Sequence, residues 1–426
     1  MHGLKHGEIP WLSLANTAFD VDEVAHGSVG LLGNVQRSTF TLHFQLSTFH
    51  SYWHDINHHV STIMNSKTKR SWLTQKVVCW IGILAAVTLT AEPSTPESRR
   101  QDRYNLLSYA GSAGEVRAVF SESDWQKRRN QILTSMQQVM GPLPGKEKRC
   151  PLDPRLDEEV DCGTYVRHLL SYASEPGSRV PAYLLIPKKA LKGGRAVPGI
   201  LCLHPTSSLG NKVVVGLGTS TNDSYGVELV ERGFVCLAPA YPLLANYAPD
   251  WRRLGYESAT MKAIWDNIRG LDLLESLPIV KRGRFAAIGH SLGGHNSVFT
   301  AAFDPRIRVV VSSCGLDSFL DYMDGNVKGW TGDRYMPRLS AYALREIPFD
   351  FHEIIASLAP RPCLISAPLG DTNFKWESVD RVAGAARQIY GLYGRPQNLI
   401  VEHPSCGHEF PKNVRETAYN FIEKNL

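Results

Sequence analysis

The sequence has no C-x-x-C pair among its eight cysteines, so zinc-ribbon and thioredoxin-type sites are not expected. It has no internal repeat, which argues against repeat architectures. No residue type dominates: 43% apolar and 20% charged residues are ordinary for a globular chain. The net charge is only +5 over 426 residues. That leaves no electrostatic footprint for nucleic acid, and no nucleic-acid partner is expected. The conspicuous apolar run, residues 77–89, has 13 residues and is too short for a comfortable membrane span.

That run has the layout of a secretory signal peptide over residues 64–91. Met64 opens it, Lys67, Lys69 and Arg70 make a basic head, and Ala91 offers a cleavage point before Glu92-Pro93-Ser94. Export, to the periplasm or out of the cell, is the expectation. The alternative is an uncleaved anchor helix, the only route by which a membrane enters the reading. Residues 1–63 hold eight of the fifteen histidines, have only Lys5 and Arg37 as basic residues, and show no sustained period. They read as a disordered extension or an upstream start. His50, His54 and His58 have the helical spacing of metal ligands, but a chance cluster accounts for them and no metal is expected.

Residues 92–149 read as a linker followed by an N-terminal helical segment. Trp125, Ile132, Leu133, Met136, Val139 and Met140 recur at near-helical spacing within 124–140, behind a cap at Ser123 or Asp124 and before the Gly141-Pro142 stop. The main domain spans 150–426. Segments 164–172 and 180–186 flank Glu175-Pro176-Gly177-Ser178 and predict a β-hairpin. Short apolar runs at 199–203, 234–237, 285–288, 309–311, 363–366 and 399–401 then alternate with helical segments near 258–276, 294–303, 377–393 and 414–423. Near-continuous apolar strands are what a parallel sheet covered on both faces requires, and the alternation predicts an α/β fold. Sites in such sheets form at the carboxyl ends of the strands.

Run 285–288 leads into Gly289-His290-Ser291-Leu292-Gly293-Gly294 and a helix. G-x-S-x-G between strand and helix makes Ser291 the candidate nucleophile, held clear on a strained turn that leaves no room for side chains at 289 and 293. Its hydroxyl needs a base, and His408 lies on the loop after the last strand; His403, fixed by Pro404, is the competitor. The acid that orients the base is expected at Asp371, after run 363–366, with Asp317, Asp321 and Asp324 as alternatives. Oxyanion donors are expected from the N–H of Leu292 and from the loop after run 199–203. Pro205 has no N–H, so Thr206 is the first choice there and Ser207 the second.

The Gly-His-Ser291-Leu-Gly-Gly, Pro-Leu-Gly-Asp371 and Cys-Gly-His408-Glu-Phe motifs, in this order, resemble the α/β-hydrolase superfamily, nearest its dienelactone-hydrolase-like and acetyl-xylan-esterase-like branch. The resemblance covers residues 150–426. It implies a mostly parallel sheet of about eight strands with helices on both faces, a Ser–Asp–His triad, hydrolysis of carboxylic esters and no cofactor. Two departures stand out. Dienelactone hydrolases carry cysteine where this chain has Ser291, and the oxyanion loop reads His-Pro-Thr instead of the His-Gly type.

The expected substrate is a small-molecule or carbohydrate ester, such as an acetylated polysaccharide. Tyr241, Tyr247, Trp251 and Tyr256 on one loop, and Tyr322, Trp330, Tyr335, Tyr342 and Phe349 on another, suit either a sugar-stacking pocket or anchors packed on the domain. Arg252, Arg253, Arg334 and Arg338 read as solvated surface. Export would permit disulfides, and a Cys150–Cys162 bridge is expected. A prolyl-oligopeptidase-type peptidase and a non-catalytic binding protein on the same fold are the competing readings.

Overall fold

Helices and strands follow the expected alternation in the computed structural model, which describes residues 101–426, Gly194 apart. The expectations for residues 1–63 and for the signal segment therefore lie outside the described residues. Strands β1 (Ser108–Ala110) and β2 (Val116–Ala118) pair antiparallel and precede helix α1 (Glu122–Met140). Ser121 caps α1 by accepting from the Asp124 N–H, and Gly141 ends it at φ 87°. The stripe Trp125, Ile132, Met136, Val139 and Met140 is buried in the same hydrophobic core as the central sheet. Arg129 ties the helix down further, donating to Ala302 O at 2.6 Å and Ser357 O at 3.0 Å.

The sheet has nine strands in the order β11-β10-β9-β8-β6-β7-β5-β4-β3. β3 (Arg155–Asp161), β4 (Tyr165–Glu175) and β5 (Ser178–Pro187) form an antiparallel meander, joined to β7 by antiparallel pairing. The rest is parallel: β6 (Val197–Leu203), β7 (Val235–Pro239), β8 (Val280–His290), β9 (Ile307–Ser313), β10 (Cys363–Ser366) and β11 (Leu399–Glu402). Between and after them come α2 (Lys188–Leu191), α3 (Tyr225–Glu231), α4 (Ala259–Ser276), α5 (Leu292–Phe303), α6 (Phe351–Ala356), α7 (Trp376–Leu392) and α8 (Lys412–Asn425).

The alternation of side chains along each strand explains the continuous apolar runs. Leu201, Leu237, Phe285, Ala287, Val310 and Ile365 face a core shared with α1, α4, α5, α6 and α7. Their neighbours Ile200, Cys236, Ala286, Ile288, Val309 and Leu364 face a second core under α3 and α8. Both faces are covered, so neither can be polar.

The nine strands fit the expected sheet of about eight; the strand the sequence does not announce is β3, an edge strand of sequence Arg-Leu-Asp-Glu-Glu-Val-Asp that is largely exposed. One expectation changes. The Cys150–Cys162 bridge does not form, and both thiols are free. Extended β3 lies between them, and seven strand residues span roughly 23 Å, far beyond disulfide reach.

Candidate active site

β8 ends at His290 and α5 begins at Leu292, leaving Ser291 as a one-residue corner with φ 53° and ψ −118°. A non-glycine residue stays in that region only when its surroundings force it. Here the Ser291 N–H donates to Ser313 O at 2.8 Å, and the Ser291 carbonyl accepts from Gly294 and His295 at 2.9 and 3.2 Å. Two glycines let the corner close. A Cβ on Gly289 would lie 2.2 Å from the Gly293 carbonyl, and one on Gly293 would lie 1.8 Å from Leu203 O at the end of β6.

The loop between β11 and α8 brings His408 to this corner. Its Nε2 lies 2.9 Å from Ser291 Oγ, and its Nδ1 lies 3.0 and 3.1 Å from the two oxygens of Asp371. The Asp371 side chain is 1% exposed and that of His408 30% exposed, so the acid is sealed and the imidazole open. Burial works against the Asp371 charge. Hydrogen bonds from His408 and from the backbone N–H of Asn373 outweigh it, holding the carboxyl below the usual carboxylate range. An ionised carboxylate only accepts, so Nδ1 carries the hydrogen and Nε2 keeps its lone pair for the Ser291 hydroxyl. The same carboxylate accepts the N–H groups of Asn373 at 2.8 Å and Phe374 at 3.2 Å, which shapes its own turn.

The competitors are engaged elsewhere. His403 contacts Ala367 O at 2.8 Å and Asp380 at 3.1 Å. Asp321 accepts from Ser378 and Arg381, and Asp324 pairs with Lys375. Asp317 is buried, with one oxygen accepting the Lys375 N–H at 3.1 Å and the other unpartnered.

Leu292 starts α5, and the first N–H groups of a helix have no partner within it. The contact between Gly293 and Leu203 sets the loop after β6 against the Ser291 corner. In that loop His204 is buried and neutral: its Nδ1–H donates to Pro205 O at 2.8 Å, and Nε2 accepts the Tyr241 N–H at 3.0 Å. Burial lowers its pKa to about 4. Thr206 is exposed and Ser207 half-buried beyond it.

Three neighbours escaped sequence reasoning. The His290 ring lies 5.0 Å from that of His408, and burial first, then His408, lowers its pKa to about 3. The Phe374 ring lies 5.9 Å from the His408 ring. The Cys314 sulfur, Asp371 and His408 have ligand atoms within 4.8 Å of one another, the one such cluster among the described residues. Burial and the nearby Asp371 push the Cys314 thiol well up, so it stays protonated and is a poor metal donor. His290 occupies the variable position of the glycine-serine motif; nothing in the sequence marks the other two. Of the loop aromatics, Tyr241, Tyr247, Trp251, Tyr256, Trp330 and Phe349 are buried, so these six serve as anchors.

Solved structures share this architecture. A glucuronoyl esterase from Solibacter usitatus superposes with a TM-score of 0.60 over 76% of this chain and 98% of its own, at 17% identity. The chain has the α/β-hydrolase fold. Residues 222–382 match the prolyl oligopeptidase family model, a stretch holding Ser291 and Asp371 but ending before His408. By sequence, the chain is 26% identical over 317 residues to "Putative hydrolase YtaP" of Bacillus subtilis (strain 168), covering 70% of this chain and 99% of that protein. It is also 26% identical over 199 residues to 4-O-methyl-glucuronoyl methylesterase 1 of Wolfiporia cocos (strain MD-104), 40% of this chain and 46% of that protein.

Proposed function

We propose that the protein is a serine hydrolase that cleaves carboxylic esters of carbohydrates through an acyl-enzyme, with Ser291 as nucleophile, His408 as base and Asp371 as its orienting acid. The observation that carries this reading is the relay from Ser291 Oγ to His408 Nε2 at 2.9 Å and from His408 Nδ1 to Asp371 at 3.0 Å, on a corner with positive φ. Ser291 Oγ attacks the ester carbonyl while His408 Nε2 takes its proton. The oxyanion that forms is received by the N–H of Leu292 and by that of Thr206 or Ser207. His408 then gives the proton to the departing alcohol. Water repeats the sequence on the acyl-enzyme, releasing the acid and restoring Ser291. Asp371 stays ionised throughout and stabilises the imidazolium.

The ester class is supported by two relatives whose names are those of sugar-acid esterases, the methylesterase of Wolfiporia cocos and the glucuronoyl esterase of Solibacter usitatus. Export rests on the sequence of residues 64–91 alone. Among the described residues no helix is long and apolar enough to cross a membrane.

A panel of aryl acetate, acetylated xylan, methyl glucuronate ester and aminoacyl amide, run with the wild type and Ser291→Ala, tests the reading. Turnover of at least one ester that Ser291→Ala lowers by about 10⁴–10⁶ is expected. Cleavage of the amide alone would instead assign a peptidase. Ester turnover that survives Ser291→Ala would remove Ser291 from the chemistry.

A further inference from the structure

One neighbour of the base has no part in the relay. His290 closes β8 beside Ser291 and is buried. A buried imidazole needs partners, and its Nδ1 lies 3.2 Å from Ser313 Oγ. Ser313 also accepts the Ser291 N–H through its carbonyl at 2.8 Å. One residue at the end of β9 thus grips the nucleophile by its backbone and His290 by its side chain.

The same ring meets the loop that carries the base. That loop passes through Gly407, which imposes little conformation of its own. Its backbone is tied at Cys406, whose carbonyl accepts from Gly370 at 3.0 Å, and at Phe410, whose carbonyl accepts from Arg415 at 2.6 Å. Between those ties the Cys314 thiol donates to the Glu409 carbonyl at 3.5 Å. The His290 ring packs on His408 at 5.0 Å and on Phe410 at 6.2 Å, nearly parallel to the latter. Phe410 is fully buried and rests on Tyr225 of α3 at 6.0 Å. Tyr225, Phe410, His290, His408 and Phe374 therefore contact one another in series, from the core under α3 and α8 to the loop after β10.

Asp371 holds the imidazole of His408 only at Nδ1, and a bond at one nitrogen leaves the ring free to tilt. Nε2, which must meet Ser291 Oγ, is at the far end. Ring contacts fix the tilt. His290 does this without adding charge: burial keeps it neutral above about pH 4, so it does not repel the imidazolium that forms at His408. The titratable groups facing it are His408 and Asp371 themselves.

We propose that His290 is a positioning residue for the hydrolysis, its ring being the spacer that sets His408 Nε2 against Ser291 Oγ. The proposal rests on the triad assignment and adds a residue that acts only through the base. Three variants test it, assayed for aryl acetate turnover and for organophosphate labelling of Ser291, with folding checked by circular dichroism. His290→Ala removes the ring. His290→Asn removes it but keeps a polar group for Ser313. His290→Phe keeps a ring of similar bulk but loses the polar group. In the alanine and asparagine variants kcat and labelling rate should fall about 10²-fold while KM stays within about twofold, because a displaced base impairs proton transfer and not ester binding. His290→Phe should recover most of that loss, to within about fivefold of wild type. If the alanine variant does not fold, the asparagine variant carries the comparison. Unchanged kcat in both small variants, a loss that His290→Phe fails to recover, or a raised KM with kcat intact would overturn the spacer. Failure of the triad assignment looks different: the wild type itself then takes no label at Ser291.

Discussion

Replacing Asp317 by Asn should make the protein more stable, and increasingly so as the pH rises. Asp317 is 1% exposed, gives one oxygen to the Lys375 N–H, and has no partner for the other. Burial, reinforced by the nearby carboxyls of Asp321 and Asp350 and only partly offset by the Lys375 N–H, raises its pKa from 3.8 to about 8. From about pH 4 to pH 8 the folded protein therefore retains a proton that the unfolded chain has released. Stability falls with pH wherever the folded state binds more protons, so the penalty is absent below pH 4, grows through the window and levels off above pH 8. At about 1.4 kcal/mol per unit over four units, its ceiling is about 6 kcal/mol. Asn cannot ionise, and its carbonyl can still accept the Lys375 N–H. Urea unfolding of wild type and Asp317→Asn at about pH 5 and about pH 8.5 should show the variant's advantage widening by several kcal/mol. A difference that stays constant, or reverses, refutes the argument. Turnover should remain within about tenfold of wild type, because the carboxylate that touches His408 is Asp371.

Asp371→Asn, by contrast, should lower kcat by about 10⁴ with the fold intact by circular dichroism, since the amide mis-sets the His408 tautomer and removes the counter-charge. If Asp371→Asn stays active while Asp317→Asn is dead, the acid belongs to the loop after β9. Gly293→Ala should be as damaging as a core overpacking mutation can be, about 1–3 kcal/mol by urea unfolding, and should also lose activity, because its Cβ meets the Leu203 carbonyl at 1.8 Å; a well-folded, active variant would mean the corner is looser than described. Lys262→Met leaves the buried Asp266 without its cation, while Lys148 still pairs Glu175 at 2.9 Å, and should cost about 3–5 kcal/mol at neutral pH, read as a lowered Tm, with the loss shrinking in acid where Asp266 is protonated. Cys150 and Cys162 should both alkylate without prior reduction in mass spectrometry.

The parts of the fold legible in the sequence are those where burial dictates residue type. The run 363–366 matches β10 residue for residue, and the hairpin turn at Glu175 to Ser178 lies where expected, because both strands pack on covered faces. The Ser291 corner was legible because steric exclusion demands glycine at 289 and 293. His408 and Asp371 were placed by strand order, and the structure sets both within hydrogen-bond reach of their partners. What escaped notice lacks such a demand. β3 is largely exposed, with only Leu156 and Val160 half-buried among its charges, so it carries no strand signature. The His403 contacts to Ala367 and Asp380 join residues far apart in sequence, and no local pattern announces them.

Helix α1 sets a condition on how the chain reaches its native state. Its arginines dock on partners made much later: Arg129 on Ser357 and Ala302, and Arg128 on Glu353, 225 positions downstream. On a ribosome adding about 5–20 residues per second, Arg128 waits roughly 10–45 s for Glu353. Arg103, which bonds Asp350 across 247 positions, waits with it. Such distant pairings are reached late and slow the search for the native topology. The first described helix to be synthesised therefore gains its arginine contacts only once α6 has been made.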